Sequence, residues 1–263
     1  MMEVLKALVL GVIQGLTEFL PVSSSGHLEL ARVILRDEST AELGLLMSVV
    51  LHFGTALATV FVFRKDISSL FSRALARDQK SVNYLLWIIA SMIPAALVGL
   101  FFDDILDQLF NKNLLLVGGM LLITALLLWF GDRSHQVERA LGLKSAIIIG
   151  LAQALAILPG ISRSGATISM ALLLKISREE AARFSFLMVV PLIIGKMSKD
   201  VLDGALIAPD IDLLALGAGF IAACISGVLA CQWMIKIVQN AQLVYFAIYC
   251  ALVGSTAIII SQI

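Results

Sequence analysis

Apolar residues in this chain come in long unbroken blocks, not in the short alternations of a soluble protein. Leu45 to Phe63, Leu85 to Phe102, Leu114 to Phe130, Leu213 to Trp233 and Leu243 to Ile260 are such blocks. Each approaches the roughly 20 residues needed to cross about 30 Å of hydrocarbon. A sixth block lies near 184 to 196. The pattern predicts an all-α integral membrane protein, with about six transmembrane helices in a single membrane domain over 1–263.

Two further apolar stretches are broken in the middle. Gly11 to Ala31, GVIQGLTEFLPVSSSGHLELA, is echoed by Gly150 to Ala171, GLAQALAILPGISRSGATISMA. Both run Gly, Gln, apolar helix, Leu-Pro, then a Ser-rich turn with Gly. Each leaves two pieces too brief to span alone, which reads as two re-entrant helical hairpins. Three spans follow each hairpin, dividing the chain into repeats at approximately 4–131 and 143–261. An odd number of crossings between equivalent points inverts one half relative to the other, so the halves are expected to interlock as an inverted repeat.

Charge sets the orientation. Arg64, Lys65, Arg73, Arg77 and Lys80 follow the first span, and Asp103, Asp104 and Asp107 follow the second. Positive-inside bias puts the basic loop in the cytoplasm. Arg133, Arg139 and Lys144 then fall inside, Asp200, Asp203, Asp210 and Asp212 outside, and both termini outside. The first hairpin enters from the outer face and the second from the inner, so their tips can meet within the bilayer.

The hydrophobic fraction of 60% and the charged fraction of 14%, against roughly 25% charged in soluble domains, exclude a water-soluble surface. A formal net charge of zero offers no field for nucleic acid. The N-terminal apolar run is interrupted by Glu18 and lacks a small-residue cleavage site, so it reads as retained structure. Cys224, Cys231 and Cys250 lie in apolar spans without metal spacing and read as small core residues. Pro94 and Pro191 are expected to kink helices. His135 belongs to a charged loop, and Arg178, Glu179, Glu180 and Arg183 read as a solvated helix start.

The chemistry sits in the broken hairpins. Gln14 and Glu18 are four apart and share a helix face. A carboxylate at the centre of a membrane helix costs about 2.5–3.5 kcal/mol on insertion scales, so Glu18 needs a cation, a proton or a wet cavity. Oxygen ligands on one face favour a hard divalent cation, magnesium first and calcium second, at Glu18 and Gln14. Ser23, Ser24 and Ser25 form a turn with Gly26, with a serine as N-cap. His27 follows, able to act as acid, base or nucleophile, or simply to hydrogen-bond. The second tip holds Gly160, Ser162, Arg163, Ser164 and Thr167. A guanidinium among hydroxyls and glycines at a helix start suits a phosphate. The plainer alternative is that Arg163 snorkels to an interface. His52, inside a span, is expected to bond a neighbouring helix in preference to lining the cavity.

These residues resemble the undecaprenyl-diphosphate phosphatase family, the bacitracin-resistance type of membrane phosphatase. The resemblance covers nearly the whole chain and rests on QGLTEFLPVSSSGH at Gln14 to His27 and PGISRSGAT at Pro159 to Thr167. It implies a bacterial plasma-membrane enzyme that converts undecaprenyl diphosphate to the monophosphate, recycling the carrier lipid for cell-wall synthesis. It also implies a divalent-cation requirement and an active site open outward. It carries catalytic roles onto Glu18, Ser24, His27 and Arg163, and supporting roles onto Ser23, Ser162, Ser164 and Thr167. Gln14 stands where some members have Glu. The expected partners are a polyprenyl diphosphate lipid and the bilayer, with a homodimer left open. The residues leave open whether Ser24, His27 or water is the nucleophile. Broken helices at midplane are also a transporter plan, so a flippase of polyprenyl phosphate lipids is the alternative reading.

Overall fold

The computed structural model of the protein describes residues 2–35, 41–101, 114–134, 139–202 and 212–262. The expectations on Asp103, Asp104, Asp107, His135, Asp203 and Asp210 concern positions outside these. The described residues form eleven α-helices. They are α1 (Met2–Phe19), α2 (Ser24–Ile34), α3 (Ala41–Val62), α4 (Arg64–Leu75), α5 (Gln79–Phe101) and α6 (Leu114–Asp132) in the first half. The second half has α7 (Leu143–Leu155), α8 (Arg163–Leu173), α9 (Arg178–Leu202), α10 (Leu213–Gln239) and α11 (Leu243–Ile260). Six helices, α3, α5, α6, α9, α10 and α11, are long and apolar enough to cross a membrane. The chain is a multi-pass, all-helical membrane protein.

Two elements differ from expectation. The first piece of the broken N-terminal stretch, α1, has 18 residues, about 27 Å at 1.5 Å per residue, longer than a brief half-helix. The basic loop after the first span is largely the helix α4, whose Leu70 is buried while its charges face outward. Pro94 and Pro191 sit inside α5 and α9, which run through them.

Both breaks have a local cause. Proline cannot donate to the preceding turn, and the chain reverses through left-handed backbone at Ser23, φ 72°, and Gly160, φ 97°. A Cβ on Gly160 would also press on Met120 at 2.8 Å and on the Val117 carbonyl, so glycine is required there for space as well as torsion. The new helices start alike. Ser23 Oγ accepts from the Gly26 N–H at 3.4 Å, and Ser162 Oγ accepts from the Gly165 N–H at 3.1 Å. The serine N-cap expected at the first tip is present, and Ser162 provides the same cap at the second.

Packing relies on small residues, as it must where lipid removes the hydrophobic drive between helices. α1 lies along α10, and α7 along α5, so the first helix of each hairpin rests on a span from the other half of the sequence. Gly11 and Gly15 of α1 meet Gly219, Ala222, Ala223 and Ser226 of α10, and Gly150 of α7 meets Ser91 of α5. A Cβ on Gly15 would sit 2.6 Å from the Ala223 carbonyl oxygen. Gly15→Val is therefore expected to lower stability by about 1–3 kcal/mol, read as a lower melting temperature in detergent; an unchanged melt would mean that α1 and α10 part easily.

Candidate active site

The tip of each hairpin is delivered to the same place. Glu18, in the last turn of α1, and Ser24, at the start of α2, come from the first hairpin; Arg163 opens α8 in the second. The Arg163 guanidinium forms an ion pair through Nη2 with Glu18 Oε1. The other carboxylate oxygen, Oε2, accepts from Ser24 Oγ at 2.8 Å and from Gln14 Nε2 at 3.0 Å. The Glu18 side chain is only 7% exposed. Its cost of burial is met by one cation and two neutral donors, and the snorkelling alternative for Arg163 is excluded.

Two polar atoms here are buried and without a partner among the described residues: Arg163 Nη1 and Gln14 Oε1. Native buried donors rarely go unpaired, so an orphan of this kind marks a place for a ligand or water. Helix geometry adds more donors: the N–H groups of Arg163 and Ser164, in the first turn of α8, have no intrahelical acceptor. An anion against Arg163 Nη1 would meet these and the positive end of the helix dipole.

The hydroxyls around Arg163 are largely engaged in holding it. Ser162 Oγ caps α8 and lies 3.3 Å from Ser164 Oγ. Ser164 Oγ donates to the Leu20 carbonyl of the first hairpin at 3.3 Å. Thr167 Oγ1 donates to the Arg163 carbonyl at 2.9 Å and is bonded to Ser185 Oγ of α9. The Ser162 N–H donates to Thr124 Oγ1 of α6 at 3.0 Å, and that hydroxyl lies 3.1 Å from the Gly160 carbonyl. In the first tip, Ser23 Oγ is 3.4 Å from Ser25 Oγ. Thr124 and Ser185 were not singled out from sequence, because a single hydroxyl within an apolar span carries no local signal.

Of the two described histidines, His52 departs from expectation. His27 bonds the Ser23 carbonyl through Nδ1 at 2.9 Å and Tyr249 of α11 through Nε2 at 2.7 Å. His52 belongs to the site, not to a helix contact as expected: its Nδ1 bonds the Ser48 carbonyl one turn earlier at 2.8 Å, and its Nε2 faces Glu18 Oε2 at 3.9 Å. Spacing cannot bring α3 to α1; only packing does. Cys231 and Cys250 are buried, as read from sequence, and Cys250 Sγ also donates weakly to the Pro21 carbonyl at 3.5 Å.

Over residues 7–256 the chain matches the model of the family described as bacitracin resistance protein BacA. The chain belongs to the BacA family. Curated relatives match it over most of their length. A protein named undecaprenyl-diphosphatase from Christiangramia forsetii is 55% identical, with 98% of each chain covered. One of the same name from Bacteroides fragilis is 47% identical over the whole of both chains. Another so named, from Methanobrevibacter smithii, is 37% identical over 96% of each.

For a cation, the donor set is sparse. No group of three His, Cys, Asp or Glu side chains able to hold a metal occurs among the described residues. Such a set suits an ion that keeps water and arrives on a phosphate, for which one or two protein oxygens suffice. Glu18 and the orphan carbonyl oxygen of Gln14 fit that role.

A correction concerns the start of α9. Arg178 is not solvated: its Nη1 pairs with Asp132 of α6 at 3.3 Å and its Nη2 donates to the Asp132 carbonyl at 2.8 Å, both side chains being 10% exposed. Arg183 pairs with Asp66 of α4 at 2.9 Å and lies over Tyr84. The helix runs past the apolar block, and three elements fold over its charged end.

Proposed function

We propose that this chain hydrolyses undecaprenyl diphosphate to undecaprenyl phosphate and inorganic phosphate, the reaction for which its relatives are named. The observation that carries the reading is the buried, unpartnered Arg163 Nη1 beside a Glu18–Ser24 hydrogen bond. In the net reaction one water is consumed, the bond between the terminal phosphorus and the bridging oxygen breaks, and lipid monophosphate and inorganic phosphate are released. Such transfer needs negative charge held in place and a nucleophile in line.

Arg163, Glu18 and Ser24 take their roles from geometry, and His27 takes its role from the family resemblance. Arg163 and the first N–H groups of α8 hold the terminal phosphate. Ser24 Oγ, already donating to Glu18 Oε2, is the hydroxyl placed to attack or to align a water, and Glu18 takes its proton. His27 exchanges a proton with the departing or attacking oxygen. Ser23, Ser162, Ser164 and Thr167 keep the two tips in register. A divalent cation, magnesium by preference, supplies charge neutralisation on the diphosphate when held by Glu18 and Gln14. The polyprenyl tail lies along the apolar helix faces, in lipid. The inverted orientation of the two halves, the bacterial plasma membrane and a site open to the extracytoplasmic side belong to the same proposal.

The test is phosphate release from purified protein given a polyprenyl diphosphate and magnesium, with and without chelator. Absence of release while the lipid monophosphate still binds would overturn the hydrolase reading. Glu18→Gln is expected to raise the magnesium concentration for half-maximal rate by about tenfold, the loss of one charged oxygen ligand. An unchanged magnesium dependence would remove Glu18 from the metal.

A further inference from the structure

We infer that Tyr249, on α11, anchors His27 at Nε2 and relays the proton exchange of that ring. This rests on the reading of His27 as an acid–base group. His27 Nδ1 lies 2.9 Å from the Ser23 carbonyl oxygen, which can only accept. Nδ1 therefore bears the hydrogen, and the neutral ring presents its lone pair at Nε2. That nitrogen is 2.7 Å from Tyr249 Oη, so the phenol donates to it. The two rings lie nearly parallel, 16° apart in plane with centroids 5.6 Å apart. The imidazole is held at both nitrogens and across one face.

The grip is wider than one bond. Cys250, the next residue on α11, donates to the Pro21 carbonyl at 3.5 Å, so two successive residues of the last helix hold the first hairpin tip. Tyr249 is itself 42% exposed. Its oxygen is bonded to Nε2 on a side chain that the protein does not close off. In the step proposed, the phenol oxygen accepts a proton from water or a phosphate hydroxyl while its own hydrogen passes to Nε2. His27 becomes imidazolium, Tyr249 is regenerated, and the reverse step returns the proton. Only O–H and N–H bonds change, and no co-reactant is needed. Tyr249 is the proton relay in this scheme, and its effect on the reaction passes through His27.

A purely structural contact makes a different prediction, because Tyr249→Phe keeps the ring and its stacking and removes only the oxygen. The full chain in detergent, with a polyprenyl diphosphate and magnesium, is compared as wild type, Tyr249→Phe, His27→Asn and the double variant. Tyr249→Phe is expected to lower kcat by about tenfold or more with KM within about twofold. In the His27→Asn background the same change should cost less than about twofold, since the group it serves is gone. Equal losses in both backgrounds, or a near-normal kcat for Tyr249→Phe, would overturn the assignment. Near-normal turnover by His27→Asn would overturn the acid–base reading beneath it, a separate failure. Independently of turnover, the ring 15N resonance of His27 Nε2, identified by its loss in His27→Asn, should shift in Tyr249→Phe. A fixed Nε2 resonance also overturns the proposal.

Discussion

Arg163→Ala is expected to reduce phosphate release by about 10³-fold or more, the scale of an arginine that neutralises a transferring phosphoryl group. The substitution removes Nη1, the orphan donor aimed at the phosphate, and Nη2, the partner of Glu18. It also leaves a carboxylate only 7% exposed without its cation, which costs roughly 3–5 kcal/mol of folding free energy. The two effects separate in Arg163→Ala with Glu18→Gln. The neutral amide no longer demands a counter-charge, so the melting temperature in detergent should largely recover while phosphate release stays lost. Normal turnover by the single variant would end the assignment of Arg163 to the phosphate. Arg163→Lys is expected to fall between, because a point charge on a flexible stem cannot serve Glu18 and a phosphate together.

The second large effect is one of stability. Asp132, at the end of α6, accepts from Arg178 Nη1 of α9 at 3.3 Å and from the Leu243 N–H of α11, also at 3.3 Å. Arg178 Nη1 reaches the Val238 carbonyl of α10 as well, at 3.4 Å. Four helices are tied at one point. Asp132→Ala leaves a guanidinium only 10% exposed with no counter-charge, so a loss of about 3–5 kcal/mol is expected, seen as a lower melting temperature and aggregation on size exclusion. Asp132→Asn, which keeps an acceptor for Leu243, should lose less. A loss below about 1 kcal/mol for Asp132→Ala would place the pair among solvated ion pairs instead.

Particular residues show how far sequence reaches. Pro21 and Pro159 break apolar runs by removing an N–H, an effect of the residue itself, and both breaks lie where the pattern puts them. Gln14 and Glu18 are four apart on one helix, so their hydrogen bond follows from helical periodicity. The pairing of Glu18 with Arg163, 145 residues away, was suggested by the echo between the two segments. Nothing local encodes it. His52 and Arg178 were misjudged for that reason: a histidine in a span and an arginine at a helix start look alike whether buried in a network or bathed in water. Tyr249, one of many apolar-face residues on α11, gave no sign at all.

By itself, the chain's order of residues determined the membrane class, the six spans, the two interruptions and the list of groups able to do chemistry, because each depends on hydrophobic length, helical period or the valence of a side chain. Tertiary structure alone decided which of those groups meet. Small residues let α1 close onto α10 and α7 onto α5, and the packed bundle as a whole sets Arg163 on Glu18, His52 beside it and Tyr249 on His27. Contacts between distant elements depend on shape matched across many positions at once, which no single stretch of sequence contains.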